Sequence, residues 1–539
     1  MPKRKSSGKS TSYIVVTGGV ISGLGKGIFT ASLGKLLQSR GFTVIPVKID
    51  PYVNVDAGTM NPIEHGEVFV LDDGAEVDMD LGNYERFLNI DLTSDSNITT
   101  GKIFKKVIDR ERNGDYLGKT VQLIPHITNE IKSWVRRVAK ANGADFELIE
   151  VGGTVGDIEN LVFLEALRQL SMEEDVAFVH CTLVPTMKSV GEQKTKPSQQ
   201  SVQKLREIGI QPHFVYARSE TPLQKKTVEK LSLFCGVREE NVICGPDTRN
   251  IYDVPVLLEE QRLTEKILDV LDVRKKTNRD MKDWRGLMQR MDNPMKTVEI
   301  AITGKYTALH DAYVSIEQAL KHASAELGCE ARVRWIETTD IENGNVKVED
   351  ALKGASGIIV PGGFGSRGTE GKIACIRYAR ENDMPFIGLC LGFQLAAVEF
   401  ARDVCGLRGA NSTEIDPKTP HPVIDLLPSQ RKVYKKGGTM RLGGQDVMIK
   451  KGTMANKLYG ALKARERFRH RYEFCPDYIE KLQEKGMVFS GHDSGGRIMQ
   501  ILELPGRRFF MATQFHPEFT SRMLRPSPMF AGFLKACIS

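Results

Sequence analysis

The sequence predicts an α/β protein with two domains in series, and three observations support this. Short apolar segments alternate with helical patterns up to residue 272, a polar stretch follows, and the same alternation then begins again. Strands that alternate with helices form βαβ units around a parallel sheet. A chain of 539 residues is also too long for one ordinary hydrophobic core.

In the first half of the chain, strands are predicted where apolar residues run together. The predicted strands are Tyr13–Thr17, Thr43–Ile49, Phe146–Val151, Val176–Val184 and His213–Tyr216. A glycine-rich loop and a helix that ends near Gly41 follow the first of them. Asp157 occupies the position of a helix N-cap, ahead of apolar residues at helical spacing. We therefore predict a first domain over 13–272, preceded by a basic, serine-rich disordered tail over 1–12.

The second half repeats this organisation after a change in composition. Residues 273–297 are strongly polar, which is typical of a linker between domains. Strands are then predicted at Val298–Thr303, Gly357–Val360 and Pro385–Leu389. We expect a second α/β domain over 298–539.

Composition excludes several classes of protein. Hydrophobic residues make up 41% and charged residues 27%, the balance of a globular protein, and no apolar run reaches the length of a membrane helix. The net charge of +7 is spread among acidic residues, so we expect no nucleic-acid partner. The nine cysteines are scattered without a CxxC pair, which predicts neither a disulfide framework nor structural zinc and favours the cytoplasm.

A phosphate-binding loop is predicted over 18–27, between the first strand and the first helix. Its glycines let backbone amides approach phosphate oxygens, and Lys26 can reach the β- and γ-phosphates. The spacing departs from GxxxxGK[ST], because the first glycine comes one residue early and Gly27 replaces the hydroxyl residue. Magnesium ligands must then come from elsewhere, and Asp80 and Glu150 are the candidates. The alternative is a glycine turn with a solvated lysine, but the flanking strand and helix favour a nucleotide.

A cysteine nucleophile is predicted where a buried strand meets a helix through the sequence Gly-Leu-Cys390-Leu-Gly. Such an elbow presents the thiol at a tight turn and directs a helix N-terminus at it, which increases the thiolate fraction. Downstream, a strand predicted over Arg508–Gln514 is followed by His516 and Glu518, which can serve as base and orienting carboxylate. The backbone amides of Pro361–Gly365 can stabilise an oxyanion. A lone buried cysteine is usually inert, but three elements at strand ends favour a triad.

The strings PGGFG, GLCLGFQ and QFHPEF resemble the class I glutamine amidotransferase domain, in which a Cys-His-Glu triad releases ammonia from glutamine. The first half resembles the amidoligase domain of the CTP synthase family. The strings that carry this second resemblance are GGVISGLGKG, KIDPYVNVDAGTMNP, HGEVFVLDDGAEVDMDLGNYERF, GDYLGKTVQLIPHIT, VGGTVGDIE and GEQKTKPSQQSV. Together the two resemblances cover the chain from about Ser12 to its C-terminus.

The resemblance implies roles for particular residues. It implies that ATP binds at Gly23, Leu24, Gly25, Lys26, Gly27, Ile28, Lys48 and Asp80. It implies that UTP and CTP share, in part, Ser22, Asp157, Ile158, Glu159, Lys194, Thr195, Lys196, Pro197, Ser198, Gln199 and Lys230. For glutamine the implied contacts are Gly363, Leu391, Gly392, Phe393, Gln394, Glu414 and Arg471, and for Mg²⁺ they are Asp80 and Glu150.

The implied reaction is the ATP-dependent amination of UTP to CTP, with nitrogen from glutamine. The O4 of uracil is a poor leaving group, so transfer of a phosphoryl group to O4 would make C4 electrophilic before ammonia displaces phosphate. Ammonia in neutral water is mostly protonated and not nucleophilic, which explains why one chain would hold both activities. The resemblance further implies activation by GTP, feedback inhibition by CTP and a homotetramer.

The residues also allow three other functions. Another ATP-dependent amidoligase, for example one acting on carboxylates of a cobalamin precursor, shares the two-domain plan but is disfavoured by KTKPSQ and GGTVGDIE. A non-catalytic, nucleotide-binding scaffold that forms filaments has no need of a complete triad. A glutaminase without a synthetic activity has no need of the phosphate loop.

Overall fold

The computed structural model of the protein describes residues 11–60, 66–187, 189, 191–274, 276–277, 280–304, 313–363, 365, 367–426 and 440–539. The predicted tail, apart from Thr11 and Ser12, lies outside the described residues, as does Phe364 of the predicted oxyanion loop. Every helix of the described ranges is too short or too polar to cross a lipid bilayer.

Strands and helices alternate along most of the described chain. The strands are β1 Ser12–Gly18, β2 Val44–Asp50, β3 Phe69–Val70, β4 Glu76–Val77, β5 Asn97–Thr99, β6 Phe146–Val151, β7 Val176–Leu183, β8 Thr186–Met187, β9 Glu192–Gln193, β10 Phe214–Ser219, β11 Val242–Pro246, β12 Lys296–Gly304, β13 Cys329–Glu337, β14 Gly357–Val360, β15 Phe386–Leu389, β16 Ala410–Ser412, β17 His421–Leu426, β18 Arg441–Ile449, β19 Lys463–His470, β20 Tyr472–Phe474, β21 Val488–His492, β22 Met499–Glu503 and β23 Phe510–Thr513. The α-helices are Lys26–Ser39, Met79–Leu88, Thr100–Arg112, Thr128–Ala141, Leu161–Glu173, Lys196–Glu207, Lys225–Cys235, Val254–Glu260, Leu263–Val270, Lys282–Asp292, Val314–Leu327, Thr338–Glu342, Val348–Leu352, Thr369–Glu381, Leu391–Asp403, Met454–Tyr459, Ile479–Glu484, Pro517–Thr520 and Pro528–Ile538.

The first of two compact units comprises Met1–Asp56 and Asn83–Arg285. Its sheet has seven parallel strands in the order β11-β10-β7-β1-β6-β2-β5, which confirms the predicted parallel α/β fold. Strand β1 lies in the middle, with β6 and then β2 on one side and β7 on the other. The loops that follow these four strands therefore leave the same edge of the sheet, where α/β folds bind their ligands.

The strands predicted in this unit are confirmed, with ends that differ by at most three residues. Asp157 does stand before a helical turn, Ile158–Asn160, but its carboxylate does not cap it. Instead, Oδ2 accepts hydrogen bonds from the backbone N–H and the hydroxyl of Thr154, at 2.9 and 2.6 Å. Asp157 is therefore the N-cap of this turn by position, as predicted, but its side chain makes no capping bond, and the α-helix begins at Leu161.

The second unit comprises Ala57–Gly82 and Gly286–Ser539. Its main sheet has nine strands in the order β13-β12-β14-β15-β23-β22-β21-β18-β19, of which the first five are parallel and the rest antiparallel. Residues that alternate along one strand enter different hydrophobic cores: Ile358 and Val360 face one core, and Ile359 faces the other. Both faces of the strand are thus buried, as expected where helices cover a parallel sheet.

A segment from the first half of the sequence, 57–82, belongs to the second unit. Arg465 of β19 binds the carboxylate of Asp72 through Nε and Nη2, with contacts of 2.7–3.0 Å. Further along β19, Arg469 Nε donates to Glu76 Oε1 at 2.8 Å. Strand β19 therefore has ion pairs to a part of the chain almost four hundred residues away in sequence.

The polar stretch predicted as a linker includes the helix Lys282–Asp292. Trp284 in this helix is buried, and its indole N–H donates to the carbonyl oxygen of Tyr252 at 2.8 Å. The point at which the chain passes from the first unit to the second lies inside this helix, between Arg285 and Gly286.

Candidate active sites

The cysteine elbow lies between strand β15 and the helix Leu391–Asp403. Cys390 has a φ of 50° and a ψ of −96°, a conformation that non-glycine residues rarely adopt and that is typical of strained functional positions. Two glycines make the turn possible. A Cβ on Gly388 would lie 2.7 Å from the carbonyl oxygen of Gly392, and a Cβ on Gly392 would lie 2.2 Å from that of Val360.

Neighbouring parallel strands bring the triad residues together. Strand β15 lies between β14 and β23, and Leu389 is in register with Thr513. The backbone N–H of Cys390 donates to the carbonyl oxygen of Thr513 at 2.7 Å, and His516 comes three residues later. Nδ1 of His516 is hydrogen-bonded to Oε1 of Glu518 at 2.7 Å. This bond occupies one ring nitrogen and leaves Nε2 as the nitrogen available to Cys390.

The charge state of His516 is set by its neighbours. Burial lowers the pKa of His516, but its charge and hydrogen-bond interactions with Glu518 and Cys390 outweigh burial and raise the pKa to about 10. The imidazole is therefore protonated at neutral pH. A protonated ring beside a thiolate can donate its proton to a leaving amine, which is the role of the histidine in acyl transfer.

The loop after β14 lies against the triad. A Cβ on Gly362 would lie 3.0 Å from Cε1 of His516 and 3.5 Å from Cβ of Cys390, so a larger residue would displace the histidine ring. The next residue, Gly363, is half-buried and has more room. The loop therefore passes next to Cys390, as the predicted oxyanion role of its backbone requires.

The predicted glutamine contacts fall into two groups. In the helix after Cys390, the side chains of Leu391, Phe393 and Gln394 are buried. Gln394 Nε2 donates to the carbonyl oxygen of Tyr472 at 3.0 Å and also contacts Gln514 Oε1 at 3.2 Å. The half-buried residues are Gly363, Glu414 and Arg471, and Glu414 accepts a hydrogen bond from the backbone N–H of Gly365 at 3.3 Å.

Two residues that the sequence did not indicate also contact the Cys390 thiol. Gln514 Nε2 lies 3.6 Å from Sγ of Cys390, and the carbonyl oxygen of Arg469 lies 3.7 Å from the same atom. Gln514 stands at the end of a predicted strand, two residues before His516, so its position in the sequence could have indicated it. Arg469 contributes a backbone atom, which no motif reveals.

The phosphate loop leads from β1 into the helix Lys26–Ser39. Gly23 and Gly25 have φ values of 74° and 83°, and Gly25 is the N-cap of the helix. The ammonium group of Lys26 is buried and donates to the carbonyl oxygen of Gly153 at 2.9 Å. Gly153 follows strand β6. Lys26 is thus held at the loop edge of the sheet, next to the residues that follow Glu150.

Lys48 and Glu150 face each other on adjacent strands. They are in register in the β2–β6 pair, and Lys48 Nζ lies 2.9 Å from Glu150 Oε1. Tyr84 donates its hydroxyl to the other oxygen of Glu150, and Asp50 Oδ1 lies 3.9 Å from Lys48 Nζ. All four side chains are buried. A buried ion pair costs desolvation energy that only a good geometry offsets, so this cluster is a candidate functional site.

The predicted pyrimidine-nucleotide residues lie in loops and helix starts of the first unit. Ser22, Asp157, Ile158 and Glu159 are exposed. Residues 194–199 follow β9 and include the start of the helix Lys196–Glu207. Within them, Ser198 donates to the carbonyl oxygen of Leu183 at 2.9 Å. Lys230 lies half-buried in the helix Lys225–Cys235.

The two predicted magnesium ligands belong to different compact units. Glu150 is in the first and Asp80, half-buried near the start of the helix Met79–Leu88, is in the second. Among the residues that the structure describes, no group of three or more His, Cys, Asp or Glu side chains could hold a metal ion. Magnesium needs no such group, because it binds one or two carboxylates together with phosphate oxygens and water.

Comparison with known proteins identifies both halves of the chain. Residues 12–273 match the family model described as CTP synthase N-terminus, and residues 308–536 match the glutamine amidotransferase class-I model. A solved structure of the Trypanosoma brucei CTPS glutaminase domain with bound acivicin is 36% identical, covers 45% of this chain and 94% of its own, and has a TM-score of 0.43.

Full-length relatives decide the family. The CTP synthase of Archaeoglobus fulgidus is 56% identical over 529 residues, which are 98% of this chain and 98% of the relative. That of Pyrococcus furiosus is 56% identical over 532 residues, with the same coverage. The chain therefore belongs to the CTP synthase family.

Proposed function

We propose that the chain releases ammonia from glutamine at Cys390 and uses it to aminate UTP to CTP with ATP. As a member of the CTP synthase family, it is a glutamine-hydrolysing ligase of pyrimidine biosynthesis. The observation that carries the proposal is the elbow at Cys390, which lies beside the 2.7 Å pair of His516 and Glu518. The phosphate loop of the first unit adds the means to activate the acceptor with ATP.

In the glutaminase reaction, the Cys390 thiolate attacks the carboxamide carbon of glutamine and forms a tetrahedral oxyanion. The backbone around Gly363 stabilises that charge. The C–N bond then breaks, and His516 donates its proton to the leaving nitrogen so that ammonia departs. Water, deprotonated by His516, hydrolyses the thioester to give glutamate and restores the thiolate. Glu518 keeps the imidazole oriented through Nδ1 in every step.

In the synthase reaction, O4 of UTP takes the γ-phosphoryl group of ATP to form a 4-phosphorylated intermediate. Ammonia then adds to C4, the C4–O bond breaks with release of phosphate, and loss of a proton yields CTP. Catalysis of phosphoryl transfer consists mainly of positioning and of stabilising charge. Lys26 and Lys48 supply positive charge at the loop edge of the sheet, and the loop Gly23–Ile28 supplies backbone amides for the phosphates.

We propose that UTP binds through the residues that the family resemblance implies. They are Ser22, 157–159, 194–199 and Lys230. Their support is that they lie in loops and helix starts of the first unit, which also holds Lys26. Two lysines, Lys194 and Lys196, precede or begin the helix Lys196–Glu207, and a helix start with adjacent cations suits a triphosphate. CTP would inhibit by sharing part of this site.

The carboxylate of Glu150, in the first unit, is a suitable ligand for Mg²⁺. Glu150 presents its carboxylate at the end of β6, held by Lys48 and Tyr84, and the nucleotide phosphates would supply further oxygens. Asp80 is the second ligand that the resemblance implies. Bound there, the ion would neutralise charge on the phosphates of ATP.

Three further proposals rest on the family resemblance alone. We propose that GTP activates the glutaminase reaction, that the chain forms a homotetramer, and that it works in the cytoplasm. Size-exclusion chromatography with light scattering tests the tetramer, and the assay described next, with and without GTP, tests the activation.

The test is CTP formation from UTP, ATP and Mg²⁺, with glutamine in one assay and ammonium chloride in the other. We expect CTP in both. Cys390→Ala should abolish the glutamine-dependent reaction and leave the ammonium-dependent one, because free ammonia bypasses the thiol. The matched control is Cys405→Ala, which removes a half-buried thiol two residues after the end of the helix Leu391–Asp403 and should change neither reaction. Lys26→Ala should abolish both.

Two outcomes would contradict the proposal. If folded Cys390→Ala enzyme lost the ammonium-dependent reaction as well, the two activities would not be divided as described. If the wild-type chain bound ATP but formed no CTP from either nitrogen source, another acceptor would have to replace UTP.

A further inference from the structure

The four-residue helix Pro517–Thr520 carries the triad carboxylate, Glu518. A helix of one turn has little stability of its own, and no side chain caps its N-terminus. Its geometry must therefore come from contacts with other elements. Two of these contacts are to consecutive residues of strand β19, Glu466 and Arg467.

The start of this segment is held by the backbone of β19. The N–H of His516 donates to the carbonyl oxygen of Arg467 at 2.8 Å. The end is held by a side chain. Thr520 donates its hydroxyl to Oε2 of Glu466 at 2.7 Å, a shorter contact than the 3.2 Å to the carbonyl oxygen of Pro517 in its own turn.

Glu466 is itself fixed from a second direction. The hydroxyl of Tyr459 donates to its other oxygen, Oε1, at 2.7 Å, so each carboxylate oxygen accepts one hydroxyl. Glu466 is 3% exposed. A buried carboxylate with a hydrogen bond to each oxygen holds one orientation, which makes it a rigid anchor for Thr520.

Glu466 is electrostatically linked to the triad. Burial raises the pKa of Glu466 to about 7, and the charge of Glu518 contributes in the same direction. The hydrogen bonds from Tyr459 and Thr520 and the charge of Arg467 act in the opposite direction. Ionisation of Glu466 near neutral pH therefore changes the charge next to Glu518 and, through it, next to His516.

We propose that Glu466 is a positioning residue of the glutaminase: through Thr520 it fixes the helix that holds Glu518 against Nδ1 of His516. Its carboxylate binds Tyr459 and Thr520, and it acts on the His516–Glu518 pair through the position of that helix. The proposal rests on the glutaminase function proposed for Cys390, and it adds an anchor outside the three triad residues.

The decisive comparison uses two variants that each remove one hydroxyl from the same carboxylate. Thr520→Val keeps the shape of the side chain but loses the bond to the helix that carries Glu518. Tyr459→Phe loses the bond on the other side, which does not lead to the triad. We expect Thr520→Val to lower kcat with glutamine by about tenfold, since misplacing a catalytic pair loses part of general acid–base catalysis. Tyr459→Phe should lower kcat with glutamine less than Thr520→Val does, because Glu466 keeps its bond to Thr520.

Three further readouts separate positioning from general loss of structure. Ammonium-dependent CTP formation should be unchanged in both variants, and the KM for glutamine should change less than kcat. Thr520→Ser restores the hydroxyl and should restore kcat. If Thr520→Val does not fold, Glu466→Gln serves instead. Glu466→Gln replaces one of the two oxygens that accept these hydroxyls, so it should lower kcat with glutamine and leave ammonium-dependent CTP formation unchanged.

The proposal is overturned if Thr520→Val and Tyr459→Phe lower glutamine-dependent kcat equally, or if neither lowers it. It is also overturned if Thr520→Ser fails to restore kcat, or if folded Glu466→Gln keeps the wild-type kcat with glutamine. A wild-type enzyme without glutamine-dependent activity would instead contradict the glutaminase function itself, so the two failures are distinguishable.

Discussion

At the scale of single residues, two buried histidines of the second unit each contact a glutamate, yet their pKa values move in opposite directions. Nε2 of His470 lies 3.0 Å from Glu473, whose carboxylate is also bound by Arg441 at 2.6 Å. Burial lowers the pKa of His470, and the charges of Arg441 and His516 add to that effect. His516 interacts with Cys390 as well as with Glu518, and its pKa is raised to about 10. The nucleophile therefore helps to determine which histidine is charged.

We expect Glu518→Gln to lower the pKa of His516 by about one pH unit or more, because an opposite charge in contact favours the protonated ring by that amount. The measurement is a ¹³C NMR titration of labelled histidine, with the His516 signal identified by its loss in His516→Asn. The matched control is Glu473→Gln, which removes the carboxylate from the other pair and should leave His516 unchanged. An unchanged titration in Glu518→Gln would show that Glu518 does not set the charge of the ring.

At the scale of elements, the elbow depends on the absence of a side chain at Gly392. We expect Gly392→Ala to lower both the thermal midpoint and the glutamine-dependent activity, because its Cβ would lie 2.2 Å from the carbonyl oxygen of Val360. Forcing a methyl group into such a site costs about 1–3 kcal/mol. The ammonium-dependent reaction should remain, since the phosphate loop is unaffected.

Gly286→Ala is the control for this substitution. Gly286 also lies in a helix, and a Cβ there would have no atom within 4 Å. Alanine is the better helix former by up to about 1 kcal/mol, so this variant should be as stable as the wild type or more so. Equal losses in the two variants would mean that replacing any helical glycine, and not crowding at the elbow, is the cause.

The sequence predicted those elements whose residues lie close together in the chain. The elbow at Cys390 could be predicted because a strand, two glycines and a helix lie within one short string, and strand order then brings His516 next to it. The role of Glu466 could not be predicted, because β19 is an edge strand and its many charged residues suggest a solvent-exposed strand. Its role depends on Thr520, which is 54 residues away in sequence. The nucleotide-binding residues stay predictions, since they rest on family resemblance and on their place in one unit.

At the scale of the whole molecule, the sequence predicted two domains in series but could not show that residues 57–82 belong to the second unit. Hydrophobic patterns indicate that a strand is buried, not which core buries it. The contacts that hold this segment include the ion pairs Asp72–Arg465 and Glu76–Arg469 and a hydrogen bond from Arg467 Nη1 to the carbonyl oxygen of Val70 at 3.1 Å. The buried ring of Phe69 also packs against Phe519.

We expect a fragment of residues 286–539 to unfold at a lower temperature than the same fragment with a synthetic peptide of residues 57–82. Without the peptide, β19 would lose these partners, and ligands that bind only the folded state stabilise it by mass action. Differential scanning fluorimetry at rising peptide concentration measures the effect. A peptide with Asp72→Asn and Glu76→Gln is the control and should stabilise less. No difference between the two peptides would show that the ion pairs contribute nothing measurable.

This interleaving of the chain limits how such enzymes can be recombined. A hybrid that joins the first 285 residues of one parent to the remainder of another would place a foreign segment 57–82 against strand β19. Its arginines would then meet side chains selected in a different background. A functional chimera should therefore exchange both pieces of the second unit together, as an internal cassette and a C-terminal one.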